Sequence, residues 1–165
     1  MFIMKKYGKS NQLLLALAIF FSSQSMYADP RGVPLDGFDI ANYRGSVVYL
    51  DFWASWCGPC RATFPMMNDL RAQYSEEELT IIAVNVDSNH SDALKFLEKY
   101  PARFAILYDP EGSLASQYEL AGMPTSYLFD RNGTLRDTHV GFRKNDADVI
   151  KRKVAETIQA NGSKE

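Results

Sequence analysis

The sequence predicts an α/β fold, a mixed sheet with helices packed on both of its faces. Two runs of apolar and β-branched residues, 47–53 and 79–86, are typical of buried strands, and helical spacing follows each of them. Asn132-Gly133 between two later apolar runs is a strong β-hairpin signal. Strands that alternate with helices predict parallel pairing, and the hairpin adds antiparallel strands.

The first 28 residues differ in kind from the rest. Three lysines come first, an uninterrupted apolar run follows at 13–21, and small or polar residues close the segment. That order is typical of a secretory signal, and the apolar run is too short for an ordinary membrane span. We therefore expect a signal peptide at 1–28, cleaved after Ala28 or Ser25, and one domain at 29–165. Retention as an uncleaved membrane anchor is the alternative.

Charge and length narrow the choice of function. Without residues 1–28 the chain has 15 Lys and Arg against 20 Asp and Glu, a net charge of −5. No basic stripe is present, so the composition disfavours a nucleic-acid partner. The remaining 137 residues suffice for one domain with its own core, and we expect a monomer without a cofactor.

Both cysteines of the chain lie in one motif, Trp56-Cys57-Gly58-Pro59-Cys60. Cys57 falls where a strand passes into the first turn of a helix, where unpaired N–H groups and the helix dipole favour a thiolate. Cys60 falls one turn further on, close enough to form a disulfide. Such a short loop removes little chain entropy, so a redox role is favoured over a structural one. We expect the Cys57 sulfur to face outward and Cys60 to be more shielded.

Asp51 is an acid in the middle of the first predicted strand. Ionising a buried, unpaired carboxyl costs several kcal/mol, so the sequence predicts a raised pKa and a group that takes up a proton near neutral pH. The alternative is an acid that simply reaches solvent at the strand end.

The other elements follow from local patterns. After a lead-in with Pro and Gly punctuation at 29–43, we expect a helix from Ala62, a helix at 92–100 capped by Ser91, a strand at 104–107, a short helix through Leu114 and Tyr118, hairpin strands at 126–130 and 134–140, and a last helix from about Asn145 to Asn161-Gly162.

These residues resemble the thioredoxin superfamily and, within it, the bacterial TlpA/ResA-like branch. Trp56–Cys60, preceded by Asp51 and followed by Pro65, is similar to the thioredoxin active site. The wider pattern consists of Gly45, Phe52-Trp53-Ala54, Val84-Asn85-Val86-Asp87, Gly122-Met123-Pro124-Thr125, Phe129-Asp130 and Gly133. The resemblance covers roughly residue 37 to the C-terminus. It implies the thioredoxin fold, with the helix and strand between Asp87 and Met123 as a central insertion.

The resemblance also implies roles for the site residues. Cys57 would attack a substrate disulfide, Cys60 would resolve the mixed disulfide, and Asp51 would serve as the base toward Cys60 through water. Pro124 would be a cis-proline that faces the cysteines, since a cis X-Pro bond turns the chain and leaves the preceding backbone exposed. The implied substrate-binding patch consists of Trp56, Gly58, Pro59, Met123, Pro124, Val140, Gly141 and Phe142.

The function that the resemblance implies is that of an exported, periplasmic thiol:disulfide oxidoreductase acting on protein disulfides. Gly58-Pro59 is the thioredoxin dipeptide, and thioredoxin is a reductant at about −270 mV, whereas the oxidant DsbA lies at about −120 mV. We therefore expect a reductase, supplied with electrons by a membrane donor of the DsbD/CcdA type; an oxidant is the alternative. Apocytochrome c, and hence cytochrome c maturation, and cuproproteins are the implied substrates, between which the residues do not choose.

Two other classes share the fold. A copper-binding assembly module of the Sco kind pairs a C-x-x-x-C spacing with a distant histidine, for which Cys57, Cys60 and His139 would be the candidates here. The C-x-x-C spacing disfavours that class. A tetrahedral zinc site needs four ligands, and two cysteines with two distant histidines are a poor set, so we expect no metal site. A peroxiredoxin needs Thr or Ser three residues before its reactive cysteine, where this chain has Ala54. His90 and His139 are expected to be ordinary surface or packing residues.

Overall fold

A computed structural model of the chain describes residues 33–34, 38–143 and 145–162. Its strands are β1 (Val33–Pro34), β2 (Val47–Trp53), β3 (Leu79–Asn85), β4 (Ala105–Tyr108), β5 (Thr125–Phe129) and β6 (Leu135–Val140). Its helices are α1 (Cys60–Gln73), α2 (His90–Lys99), α3 (Ser113–Gln117) and α4 (Asp146–Gly162), preceded by a short 3₁₀ helix at Ile40–Tyr43. The predicted signal peptide lies outside the described residues.

The described strands form one mixed sheet in the order β1-β4-β3-β2-β5-β6. β2, β3 and β4 are mutually parallel, because a helix connects each consecutive pair. β5 and β6 form the predicted hairpin, and β5 runs antiparallel to β2. This is the thioredoxin-like fold, and the α2–β4 unit is its helix–strand insertion; both predictions are confirmed.

Strand β2 lies at the centre of the sheet, and all seven of its residues are buried. Successive side chains of a strand point to opposite faces. Tyr49 and Trp53 therefore join the core formed with α1, α2 and α4, whereas Phe52 joins the core on the opposite face with α3. The Trp53 ring lies 4.9 Å from the ring of Phe64 in α1, which packs the first turns of that helix against the strand.

One local prediction needs correction. The cap of α2 is Asn89, whose side chain accepts a hydrogen bond from the Ser91 N–H (3.1 Å), so the helix begins two residues earlier than expected. The predicted β5–β6 hairpin is present, and in its connection the Gly133 N–H donates to the Asp130 carbonyl (2.8 Å) while Gly133 adopts a positive φ of 80°. A turn followed by a glycine of this kind is the three-residue hairpin loop.

β1 pairs parallel with β4 at the edge of the sheet. Asp39 then caps the 3₁₀ helix by accepting a hydrogen bond from the Ala41 N–H (2.8 Å). Within the described ranges, no helix combines the length and the apolarity that crossing a bilayer requires.

Candidate active site

Cys57 and Cys60 form a disulfide at the N-terminus of α1, with their Cα atoms 5.4 Å apart. The N-cap position is Pro59, which offers no side-chain hydrogen bond to the helix. Instead the Sγ atom of Cys57 accepts the backbone N–H of Cys60 (3.3 Å). The sulfur therefore occupies the place of a capping acceptor, where the helix dipole favours negative charge.

Both cysteines are buried in the disulfide form, Cys57 with 4% of its surface exposed and Cys60 with none. The predicted ranking, with Cys60 more shielded, agrees with these values. The prediction that the Cys57 sulfur faces outward does not agree with them, because the bond to Cys60 holds that sulfur against the first turn of α1.

A hydrogen-bond clamp holds the loop that leads into the cysteine motif. Asp87, just beyond the end of β3, accepts the backbone N–H and the hydroxyl of Ser55, both at 2.9 Å. Asn85 donates its side-chain amide to the same carboxylate (2.8 Å), and all three groups lie in buried or half-buried positions. The sequence offers only a weak signal for this clamp, a polar pair at the end of a buried strand.

Asp51 is buried, with 1% of its surface exposed, and its Oδ2 atom has no hydrogen-bond partner in the described part of the chain. Burial raises the pKa of its carboxyl well above the usual range, as the sequence predicts. The alternative of an acid that reaches solvent is contradicted. Its neighbours on the same face of β2, Tyr49 and Trp53, belong to the same core as both cysteines, so Asp51 points into the layer that contains them.

The Met123–Pro124 peptide bond is cis, as predicted. The Gly141 N–H donates to the Pro124 carbonyl (2.7 Å), which joins the two loops that start β5 and end β6. The strand register aligns Phe52, Thr125 and Val140, so these loops lie at the end of the sheet from which the cysteine motif emerges.

Two exposed apolar side chains, Trp56 and Val140, form an apolar rim at this end of the sheet. Trp56 is 68% exposed and Val140 is 52% exposed, and Leu135 is the only other exposed large apolar side chain among the described residues. The rest of the predicted patch ranges from exposed to buried: Gly58 and Pro59 are exposed, Met123, Gly141 and Phe142 are half-buried, and Pro124 is buried. Register and contacts thus bring the predicted site residues to one end of the sheet.

Each histidine contacts a side chain other than a cysteine. The ring of His90 packs on Tyr108, with centroids 4.1 Å apart, and the Nε2 atom of His139 lies 3.1 Å from the Asp146 carboxylate. The described residues contain no group of three or more His, Cys, Asp or Glu placed to hold a metal ion. The set that the copper alternative needs is therefore not assembled in this structure.

The model of the AhpC/TSA family matches residues 35–138. The chain belongs to that family. Its curated relatives include the thiol-disulfide oxidoreductase ResA of Geobacillus kaustophilus, 34% identical over 102 residues. That match covers 62% of this chain and 59% of ResA, so the chain spans about three fifths of the relative's length.

Solved structures extend the comparison within the family. One solved structure, from Chlorobium tepidum, is described as a thiol:disulfide interchange protein DsbE. It is 46% identical to this chain with a TM-score of 0.69, and the match covers 72% of this chain and 84% of that one. The exposed lipoprotein thioredoxin Etrx1 of Streptococcus pneumoniae is 30% identical with a TM-score of 0.59, over 74% and 94%. The predicted resemblance to TlpA/ResA-like proteins is confirmed. A cysteine pair at a helix N-terminus in such a fold can open and close reversibly by thiol–disulfide exchange.

Proposed function

We propose that the protein is an exported thiol:disulfide oxidoreductase that reduces disulfides of protein substrates. The observation that carries the proposal is the Cys57–Cys60 disulfide, in which the Cys57 sulfur accepts the Cys60 N–H at the N-terminus of α1. Relatives named as thiol-disulfide oxidoreductase and as thiol:disulfide interchange protein support the same chemistry.

The reaction begins with the reduced protein. The Cys57 thiolate attacks one sulfur of the substrate disulfide, that S–S bond breaks, and the departing substrate thiolate takes a proton from solvent. A mixed disulfide now joins Cys57 to the substrate. Cys60 gives its thiol proton through water to Asp51 and attacks the Cys57 sulfur, which releases the second substrate thiolate and forms the disulfide seen here. The substrate gains two electrons, and the dithiol loses them.

Asp51 suits the role of proton acceptor because its burial keeps its affinity for protons high. The apolar rim suits the docking of an extended substrate segment around a cysteine. We assign that docking to Trp56, Gly58, Pro59, Met123, Pro124 and Gly141, with Val140 and Phe142 at its border.

The direction of electron flow and the compartment belong to the proposal as well. Gly58-Pro59 favours a reductant, and a reductant in an oxidising compartment requires a membrane electron donor of the DsbD/CcdA type. Residues 1–28 serve as the signal peptide and residues 29–165 as a periplasmic, monomeric domain; one relative is itself described as an exposed lipoprotein. Apocytochrome c and cuproprotein cysteines are the substrate classes.

The equilibrium redox potential of the Cys57–Cys60 pair tests the direction. Equilibration with thiol buffers of known potential should give a value of about −270 mV, the thioredoxin range. A value near about −120 mV would make the protein an oxidant instead.

Trapping tests the substrate class. A Cys60→Ala variant cannot resolve the mixed disulfide, so it should accumulate bound partners in cells, and a Cys57→Ala variant should not. Equal capture by both variants would contradict Cys57 as the attacking residue.

N-terminal sequencing of the trapped protein tests the signal peptide, and the sequence should begin at Asp29 or at Met26.

A further inference from the structure

A row of polar side chains crosses the sheet at the position of Asp51. Asp51 of β2 lies directly opposite Ser126 of β5, which lies directly opposite His139 of β6. Opposed residues of antiparallel strands point to the same face, so the three side chains share one face of the sheet, with Ser126 on the strand between the other two. On the other side of Asp51 the opposed residue is Ala83, which offers no polar group. The row therefore leads from Asp51 in one direction only.

A small cavity lies beside the part of this row formed by Ser126 and His139. Its walls include Tyr49, Ser126 and His139. Its volume of about 10 Å³, measured for the centre of a water-sized sphere, is enough for about one water molecule. The Tyr49 hydroxyl is buried and makes no hydrogen bond within the described residues. Burial, and then the nearby charge of Asp51, raise the pKa of this phenol. Ser126 lies close enough to lower the same pKa. A water molecule in the cavity would satisfy the hydroxyl.

The far end of the row reaches solvent. The side chains of His139 and Asp146 are each 21% exposed, and their ion pair spans 3.1 Å. The Arg143 N–H, and then His139, lower the pKa of the Asp146 carboxyl, so Asp146 is an anion beside the imidazole. Asp137, two residues before His139 on the same face of β6, also lines the cavity and pairs with Lys153 of α4. Imidazole is the side chain best suited to gain and lose a proton between pH 5 and pH 8.

We propose that Ser126 and His139, with one water molecule in the cavity beside Tyr49, carry protons between the buried carboxyl of Asp51 and solvent. The carboxylic acid passes its proton to the Ser126 oxygen, the serine passes its own proton to the water, and the water passes one to His139, which releases it beside Asp146. Each hydroxyl ends as it began, and one proton leaves. The inference rests on the proposed role of Asp51 as proton acceptor, which must be ionised before Cys60 can give up its proton.

Rapid-mixing infrared spectroscopy tests the route directly. On transfer of the oxidised protein into D₂O, the C=O band of protonated Asp51 shifts as its proton exchanges, and Asp51→Asn identifies that band. Ser126→Ala and His139→Leu should slow the exchange at least tenfold, and Ser126→Thr, which keeps the hydroxyl, should restore it. Exchange at the wild-type rate in Ser126→Ala would overturn the proposal.

Thr138→Ala is the matched control, because it removes a hydroxyl from the residue beside His139, on the opposite face of β6. It should exchange like the wild type. The pH at which the same C=O band loses half of its intensity measures the proton affinity of Asp51. An unchanged midpoint in a variant shows that only the exchange rate has changed. If Asp51→Ala resolves mixed disulfides at the wild-type rate, the proposed base role fails, and the exchange measurement still decides whether the route exists.

Discussion

At the scale of single residues, Asp51 combines two opposed properties. It lies in the most buried strand of the sheet, and yet a carboxyl there is costly to ionise. A folded protein retains such a group when its proton affinity is useful, and here the cysteine pair lies in the same layer. The cost of Asp51 should therefore be measurable as a dependence of stability on pH.

Asp51→Asn should stabilise the oxidised protein at alkaline pH. Because the folded carboxyl holds its proton more tightly than the unfolded one does, wild-type stability falls as pH rises from about 4 through the raised pKa. The neutral amide cannot ionise and so removes that loss. Urea denaturation at pH 9 should therefore show a gain of at least about 1 kcal/mol, because a buried charged group costs more than a buried neutral one. At pH 5 the gain should be small. Glu98→Gln, which alters an exposed acid, is the control and should change neither value.

The residue scale is also where sequence reasoning succeeds and fails most clearly. The burial of Asp51, the Cys57–Cys60 pairing and the cis bond before Pro124 follow from local patterns and from the resemblance. The neighbours Ser126 and His139 do not, because cross-strand partners depend on a register between segments far apart in the chain. Periodicity predicts the face on which a side chain lies, and it does not predict which side chain is opposite.

At the scale of elements, the end of β3 positions the loop between β2 and α1. The Asp87 carboxylate holds Ser55 through two hydrogen bonds, two residues before Cys57. The motif predicts where the cysteines lie, and it contains no information on this clamp, which joins residues 32 positions apart. The choice of Asn89 over Ser91 as the α2 cap is likewise undecided by local sequence, since both are good capping residues.

Asp87→Ala should disturb the reactivity of the disulfide as well as the stability of the fold. Loss of a buried acceptor for three hydrogen bonds should lower the free energy of unfolding by about 1–3 kcal/mol and change the rate of reduction by dithiothreitol severalfold. Asp109 is a matched control, since it is also buried beyond a strand end and accepts three hydrogen bonds, all from α3. Asp109→Ala should cost similar stability and leave the reduction rate unchanged. Equal effects of both variants on that rate would show that the clamp does not position the site.

At the scale of the whole molecule, exposed apolar surface is concentrated at one end. Two of the three exposed large apolar side chains of the described residues, Trp56 and Val140, lie at the end of the sheet that carries the disulfide. Leu135 lies at the opposite end of β6. A domain with such a rim has a surface suited to transient contact with a partner chain.

Trp56→Ser should therefore weaken the use of protein substrates more than that of small ones. Loss of a large buried contact in the complex, worth about 1.5–3 kcal/mol, corresponds to roughly a tenfold to hundredfold lower kcat/KM for a disulfide-bonded protein. Val140→Ser should act in the same direction with a smaller effect. Leu135→Ser is the control and should match the wild type, and the rate with dithiothreitol reports any change in the disulfide itself. A loss of the same size with the small thiol would remove Trp56 from the docking surface.

The two parts of the site differ greatly in how far apart their residues are in the chain. Cys57 and Cys60 are three positions apart, whereas the β2–β5 pairing that encloses Asp51 joins Val48 to Phe129, 81 positions away. Closing a short loop needs no folded structure, and bringing distant strands together is the slow part of folding. A newly made chain can therefore be oxidised at its cysteines before it folds, and its thiols come under the influence of the buried carboxyl only when the sheet has assembled.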